Sequence, residues 1–216
     1  MFNLPKSTLI QKVVPKNAFD AYTNTKQKKA FAEKIQRITW LNKISFETIN
    51  LKDAEIKEIQ IFKVELKEKI EINDIVNIID KAIPYHIIFL IYFNNEFYIS
   101  TSVKHLHPND EDKAVIDYTF KSVWLSIDNN PYTVELKNDL DWVFQNFCEQ
   151  LKTVNTNASN IWELVQTQKQ DDSLRKEIEK VKSEIARCKQ FNIKVELNIK
   201  LKRLEKSLTS NFKSQN

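Results

Sequence analysis

The longest dense apolar region of the chain covers residues 55–93, EIKEIQIFKVELKEKIEINDIVNIIDKAIPYHIIFLIYF. Within it, apolar and polar residues alternate over residues 58–67, which predicts a β-strand, and the change of phase near Phe62 is typical of a β-bulge. Residues 87–93 are continuously apolar, as in a central strand covered on both faces. Between the two strands, Asn73 is the predicted N-cap of an amphipathic helix.

The segments on either side predict further elements of the same sheet. Prolines bound the apolar middle of residues 1–16, which predicts a short arm that packs on the body. From Asn17 onward we expect two helices or one interrupted helix. The remaining predictions are strands at 38–44, 48–51, 96–103 and 115–127, a polar loop at 105–113 and a helix at 140–151. Together these predict an α+β fold, a mostly antiparallel sheet packed with helices.

The C-terminal part of the chain has a different pattern. Residues 154–172 are polar and predict a linker between a globular α+β domain, residues 1–153, and a C-terminal helical arm, residues 173–216. In the arm, apolar residues recur in the steps of four and three that are typical of a coiled coil. They stand at positions 174, 178, 181, 185 and 188, and then at 197, 201, 204 and 208. The gap between the two stripes breaks the heptad, so the arm is either one helix interrupted near residues 190–192 or an antiparallel helical hairpin.

The composition excludes several classes of enzyme and indicates a compartment. None of the 216 residues is glycine, and the P-loop, the G-x-G-x-x-G fingerprint and the G-x-S-x-G elbow all need it. Asparagine must therefore supply positive φ in turns such as Asn94-Asn95. Cys148 and Cys188 are typical of free thiols in a reducing cytoplasm, and we find neither a spanning apolar run nor a secretory signal. We expect a cytoplasmic protein without a membrane partner.

The basic charge is concentrated in the tail. Residues 171–216 hold twelve Lys or Arg and seven Asp or Glu, whereas the rest of the chain holds 21 basic and 22 acidic residues. Such an excess is usual for a solvated helix face, and contact with nucleic acid phosphates is the alternative.

One constellation has the residue types of a metal-dependent nuclease. The predicted elements follow the order of the PD-(D/E)XK core, which is a helix, strands, a second helix and a further strand. In that core an acidic residue and an E-x-K pair hold Mg²⁺. Glu65 and Lys67 supply the E-x-K pair on one face of the predicted strand, with Asp53 and Glu58 upstream. A solvated strand face explains the same residues, because Glu58 lies on the same strand as Glu65 and not on a neighbouring one.

Two further sets of residues have side chains of the types used in metal binding or nucleophilic catalysis. His105 and His107, followed by the acidic residues 110–112, have metal-ligand side chains but lack a third ligand at a regular spacing. We therefore predict no metal site there. Serine, cysteine and histidine show no arrangement typical of a catalytic triad.

Several blocks of the sequence together resemble one family. They are LPKST at residues 4–8, VPKNAF at 14–19, ITWLNKIS at 38–45, EIQIFKVELK at 58–67, DKAIPYHIIFLI at 80–91 and KQFNIKVELN at 189–198. In the sequence and the order of these blocks, the chain is similar to bacterial proteins that carry the domain of unknown function numbered 4391. One departure is Val103-Lys104, where the family pattern has a Tyr-Lys pair.

The resemblance implies a genomic context and no activity. Members are often encoded beside helicases and DNA methyltransferases of restriction-like or phage-defence loci, and no catalytic residue is carried over. The resembling block in the tail implies a recognition surface, whose polar members are Gln190, Asn192, Glu196 and Asn198.

We therefore expect a non-catalytic accessory or adaptor protein of a bacterial DNA-processing or phage-defence assembly. It would bind a protein partner, such as a helicase or methyltransferase subunit, or DNA, and would need no cofactor. The alternatives are a nuclease that uses Mg²⁺ at Asp53, Glu58, Glu65 and Lys67, and a structural homodimer joined through the heptad stripes.

Overall fold

The chain forms two units in this computed structural model, Met1–Leu151 and Lys152–Asn216. The structure describes residues 2–154 and 156–213, without the side chains of residues 110–113 and 209–213. No helix within these residues is both long enough and apolar enough to cross a membrane.

The described part of the first unit holds one sheet of seven strands. They are β1 (Leu9–Val14), β2 (Ile35–Ser45), β3 (Glu58–Leu66), β4 (His86–Phe93), β5 (Glu96–His107), β6 (Asp110–Lys121) and β7 (Leu125–Ser126). The first six follow one another across the sheet in chain order, and β7 pairs with the beginning of β5. Among the described strands, only β3 and β4 run parallel. The predicted mostly antiparallel sheet is confirmed.

Four α-helices accompany the described part of this sheet, α1 (Thr25–Lys34), α2 (Phe46–Ile49), α3 (Asn73–Ala82) and α4 (Leu140–Glu149). Helix α3 is the crossover that a parallel pair requires, because β4 can run parallel to β3 only if the chain first returns to the end of the sheet where β3 began. Its buried face includes Ile75 and Ile79, which join Phe62 and Phe89 of the sheet in the main apolar core. Helix α4 covers the opposite face, where the ring of Phe144 lies 4.4 Å from that of His86.

The predicted strands at 38–44, 58–67, 87–93 and 96–103 correspond to β2, β3, β4 and β5, and the turn at Asn94 has the expected positive φ of 51°. The expected bulge is also present, but it lies on the neighbouring strand. The pairing of β2 with β3 shifts between Trp40 and Asn42, so the extra residue opposite Phe62 is Leu41.

Three local predictions in the first unit are wrong. The middle of residues 1–16 is the edge strand β1, because it pairs with β2, which is distant in sequence. Residues 48–51 are not a strand, since the backbone N–H of Ser45 donates to the Thr48 hydroxyl at the start of the short helix α2 and Asn50 ends this helix at φ 55°. Asn73 is the first residue of α3 and not its cap, and the backbone N–H of Ile72 instead donates to the hydroxyl of Tyr98.

The polar stretch 105–113 is also not a loop. It forms the ends of β5 and β6, where His105 pairs with Val115 and Leu106 with Ala114. Cross-strand pairing therefore outweighs the polar composition of this segment. The predicted strand at 115–127 is interrupted after Lys121 and resumes as β7.

The described part of the second unit contains two long helices, α5 (Ile161–Arg187) and α6 (Phe191–Lys213). Helix α5 begins inside the stretch 154–172 because the Asn160 side chain accepts from the N–H of Glu163, and the Glu163 carboxylate accepts from Ser159. Residues 161–172 are thus helical and form the first part of α5. The division into domain, linker and arm stays a prediction.

The two helices form the antiparallel hairpin that was one of the two expected arrangements. They contact each other, and the Lys200 ammonium lies 2.7 Å from the Glu177 carboxylate. In one straight helix these residues would be roughly 35 Å apart, at 1.5 Å per residue. Ile178 and Val181 of the first apolar stripe are buried, and Leu197, Leu201 and Leu204 of the second are half-buried. The C-terminal part of the described chain is therefore helical, as predicted.

Candidate functional site

The structure does not bring the four candidate nuclease residues together. Glu58 and Glu65 lie at opposite ends of β3, seven residues or roughly 23 Å apart at 3.3 Å per residue. No group of three His, Cys, Asp or Glu side chains able to hold a metal ion is found among the described residues. These positions therefore cannot share one ion.

Each of the four also has a local partner. Glu58 is buried and accepts hydrogen bonds from Gln60 at 2.6 Å and from Lys43 at 3.2 Å, which raises the pKa of Lys43. Glu65 pairs with Lys63, Lys67 donates to the carbonyl of Ala32, and Asp53 pairs with Lys57. Ordinary ion pairs and hydrogen bonds thus explain all four side chains.

The two histidines of the predicted polar loop are also engaged. Nδ1 of His105 lies 2.7 Å from the Asp117 carboxylate, and Nδ1 of His107 accepts from the N–H of Asn109. The acidic side chains at 110–112, which completed that pattern in the sequence, lie outside the described residues.

A buried ionic cluster joins β5 to the end of α3. The ammonium of Lys104 and the carboxylate of Asp80 are fully buried and 2.7 Å apart. The ammonium also donates to the backbone carbonyls of Asp80 and Ile83, each at 2.7 Å. These three acceptors use all three protons of the ammonium, so Lys104 anchors the C-terminal end of α3.

Burial governs the protonation of this cluster. It lowers the pKa of Lys104, although the Asp80 carboxylate opposes the shift. Burial together with the Lys104 charge also lowers the pKa of His86 to about 3, so that His86 is neutral at physiological pH. The second carboxylate oxygen of Asp80, Oδ2, has no hydrogen-bond partner among the described residues. The geometry is that of a structural ion pair: every proton of Lys104 is engaged and both side chains are sealed from solvent.

The tail residues predicted to bind a partner lie at the start of α6. The Gln190 carbonyl caps this helix by accepting from the N–H of Lys194, and all four predicted side chains are exposed. Asn192 and Glu196 are four residues apart and share one face of α6. Asn198 points elsewhere and donates to the carbonyl of Lys194 at 2.7 Å. The structure therefore groups two of the four residues.

An exposed apolar row lies beside Asn192 and Glu196. Phe191, Val195 and Ile199 follow one another at intervals of four residues, and 79%, 42% and 47% of their surfaces are exposed. At 100° per residue, this row lies on the side of α6 opposite the half-buried leucines. We call the exposed surface formed by Phe191, Asn192, Val195, Glu196 and Ile199 the outer face of α6.

Sequence reasoning missed the two most informative features of the chain. The spacing of Phe191, Val195 and Ile199 is visible in the sequence, but the leucine stripe of the same helix is stronger. The pairing of Asp80 with Lys104 has no sequence signal, because it joins residues 24 positions apart through the packing of α3 on the sheet.

Comparison with known proteins gives one match. A family model described as a domain of unknown function (DUF4391) matches residues 2–208. No curated protein and no solved structure matches the chain.

Proposed function

The chain belongs to the family of the domain of unknown function DUF4391, and from this premise we propose that it is a non-catalytic accessory protein that docks a partner protein through the outer face of α6. Its setting would be the cytoplasm of a bacterium, in a DNA-processing or phage-defence assembly of restriction-like type. The partner would be a helicase or methyltransferase subunit of that assembly.

The exposed apolar row of α6 carries this proposal. Single exposed apolar residues are common, but a row of three at helical spacing is what a helix presents to a groove on another protein. Full burial of side chains of this size stabilises a complex by about 1.5–3 kcal/mol each. A protein groove can cover the row, whereas a nucleic acid backbone offers little apolar surface.

The charged residues next to the outer face of α6 indicate which charges the partner's surface would carry. The exposed residues Lys202, Arg203 and Lys206 continue the outer face beyond Ile199. The complementary surface is therefore an apolar groove with carboxylates at one end. Asn192 and Glu196 flank the row and would supply directional hydrogen bonds at its rim.

The nuclease alternative has no supporting observation, because its four candidate residues do not come together. They are Asp53, Glu58, Glu65 and Lys67. The homodimer alternative concerns the same helical hairpin, so the experiment below must distinguish a second copy of the chain from a different protein.

The test is a double substitution, Val195→Glu with Ile199→Glu, in the full chain. Glutamate is a good helix former and both positions are exposed, so the fold should persist. Binding to the purified helicase or methyltransferase subunit encoded beside the gene should weaken at least about 100-fold, since two buried anchors are lost. Titration calorimetry measures this directly.

The matched control is Gln166→Glu with Gln170→Glu, an equally spaced exposed pair on α5. It should leave the affinity unchanged. Equal affinity of the Val195/Ile199 variant and the parent chain would overturn the proposal. A dimer in light scattering that becomes a monomer in that variant would assign the face to a second copy of the chain.

A further inference from the structure

A groove runs between α1 and α3 on the first unit, far in sequence from the helical hairpin. It encloses a cavity of about 580 Å³, within the range of ligand sites. Lys26, Ala30 and Lys34 form its wall on α1, at intervals of four residues, so the two lysines lie roughly 12 Å apart along the helix. Ile78 and Lys81 line it from α3.

The charges that line this groove favour an anion. Among the described residues, no ion pair involves Lys26, Lys34 or Lys81. The acidic Glu71 is already matched by Lys121 at 2.6 Å, which lowers its pKa. The other carboxylate, Asp74, lies in the first turn of α3, where the helix dipole offsets its charge. Three cations thus face at most one unmatched carboxylate.

A second cavity adjoins the groove and offers an aromatic surface. It encloses about 670 Å³ and shares Ile78 and Lys81 with the first. Its apolar lining includes Ala114, Val115 and Tyr22, and 40% of the Tyr22 surface is exposed. A flat base could rest on such a surface while an adjacent phosphate reaches Lys81.

We propose that this groove binds single-stranded DNA, with phosphates on Lys26, Lys34 and Lys81 and one base stacked on Tyr22. A cationic groove beside an aromatic ring is the arrangement that holds single strands without reading their sequence. A duplex keeps its bases paired inside the helix and cannot offer one to Tyr22. Only the choice of DNA over RNA rests on the proposed function; the cavities and charges are independent of it.

The experiment measures fluorescence anisotropy of a labelled oligothymidylate of about twelve nucleotides, within known site sizes, with the full chain alone. Three phosphate contacts predict that log K falls with log[salt] with a slope of about −2, and each Lys→Gln substitution at 26, 34 or 81 should reduce that slope by about 0.7. The matched control is Lys29→Gln, which removes a charge from α1 outside the groove and should change neither slope nor affinity.

The aromatic contact has a separate readout. Tyr22→Leu should weaken binding about 5- to 150-fold, as loss of one stacked base does, and leave the salt slope unchanged. The proposal is overturned if the oligonucleotide shows no saturable binding, if the three groove lysines can be replaced without effect, or if a duplex binds equally well. Tighter binding of oligouridylate would overturn the choice of DNA. Because no partner protein is present, failure here leaves the docking function of α6 untouched.

Discussion

At the scale of single residues, Lys104 and Asp80 are the most consequential pair. Their contact is fully buried, and the ammonium also satisfies two backbone carbonyls at the end of α3. Removing both charges from water costs much free energy, so an intact pair of this kind adds little net stability. Loss of one partner destabilises the fold strongly, because the other charge stays buried without a counter-charge. The role of this pair is to fix where α3 ends on the sheet.

Replacing only one partner should expose this asymmetry. Lys104→Met leaves the Asp80 carboxylate buried without a counter-charge and should lower the free energy of unfolding by about 3–5 kcal/mol. The double variant Lys104→Met with Asp80→Leu should be more stable than that single variant, because no lone charge remains. Urea denaturation of the parent chain, of each single variant and of the double variant measures these differences. A double variant as unstable as the sum of its single variants would refute this account.

His86 makes stability depend on pH in a defined window. The folded state keeps it neutral down to its pKa of about 3, whereas the unfolded chain protonates it near pH 6.5. Between these values the unfolded chain binds more protons, so stability is complete above pH 6.5 and is lost as the pH falls. At pH 5 the loss from this group is about 2 kcal/mol.

The check is a comparison of unfolding free energies at pH 7 and pH 5 for the parent chain and for His86→Phe. The phenyl ring retains an aromatic contact with Phe144, and the variant should lose about 2 kcal/mol less over this interval. An identical pH dependence in both proteins would show that His86 titrates normally.

At the scale of elements, the sequence predicts best where the apolar pattern is itself the cause of the structure. Continuous apolar residues at 87–93 favour a covered strand, and β4 is a strand. Two of the failures occur where a distant segment decides the outcome. Strand β1 exists because β2 accepts it as a neighbour, and Ile72 rather than Asn73 precedes α3 because the Tyr98 hydroxyl satisfies its N–H.

For the candidate site residues too, contacts that the sequence does not reveal decide the outcome. Alternation along β3 could place Glu65 and Lys67 on one face, but only the sheet shows that Glu65 is matched by Lys63 and that Lys67 reaches Ala32. The spacing of apolar residues in the tail is compatible both with one interrupted helix and with a helical hairpin, so the sequence does not distinguish these two structures. The Glu177–Lys200 contact is the non-local fact that distinguishes them.

The hairpin itself is testable by cross-linking. Glu177→Cys with Lys200→Cys, in a chain that also carries Cys188→Ser, should join within one molecule through a short bis-maleimide, because these positions meet across the helices. Lys169→Cys with Lys200→Cys is the control, since its first cysteine lies roughly 12 Å further along α5. Mass spectrometry of the cross-linked peptides reports the result. Equal cross-linking of both pairs would contradict the hairpin register.

At the scale of the whole molecule, two surfaces differ in chemistry as well as in position along the chain. The outer face of α6 is apolar and leads into cationic residues, which suits a protein groove. The α1–α3 groove carries lysines and adjoins a cavity lined by Tyr22, which suits a nucleic acid strand. Neither surface contains a cluster of residues that could perform catalysis with a metal ion, as far as the described residues show. The accessory role that we propose, in which the protein holds a partner and a DNA strand, needs only such surfaces.

The most direct test of the docking function is hydrogen–deuterium exchange of the full chain with and without the purified partner subunit, in the absence of DNA. Peptides covering residues 190–203 should become protected, because the start of α6 lies in the partner's groove, while the exchange of β3 and β4 stays unchanged. Protection confined to residues 1–151, or no protection of α6 at saturating partner, would contradict the account.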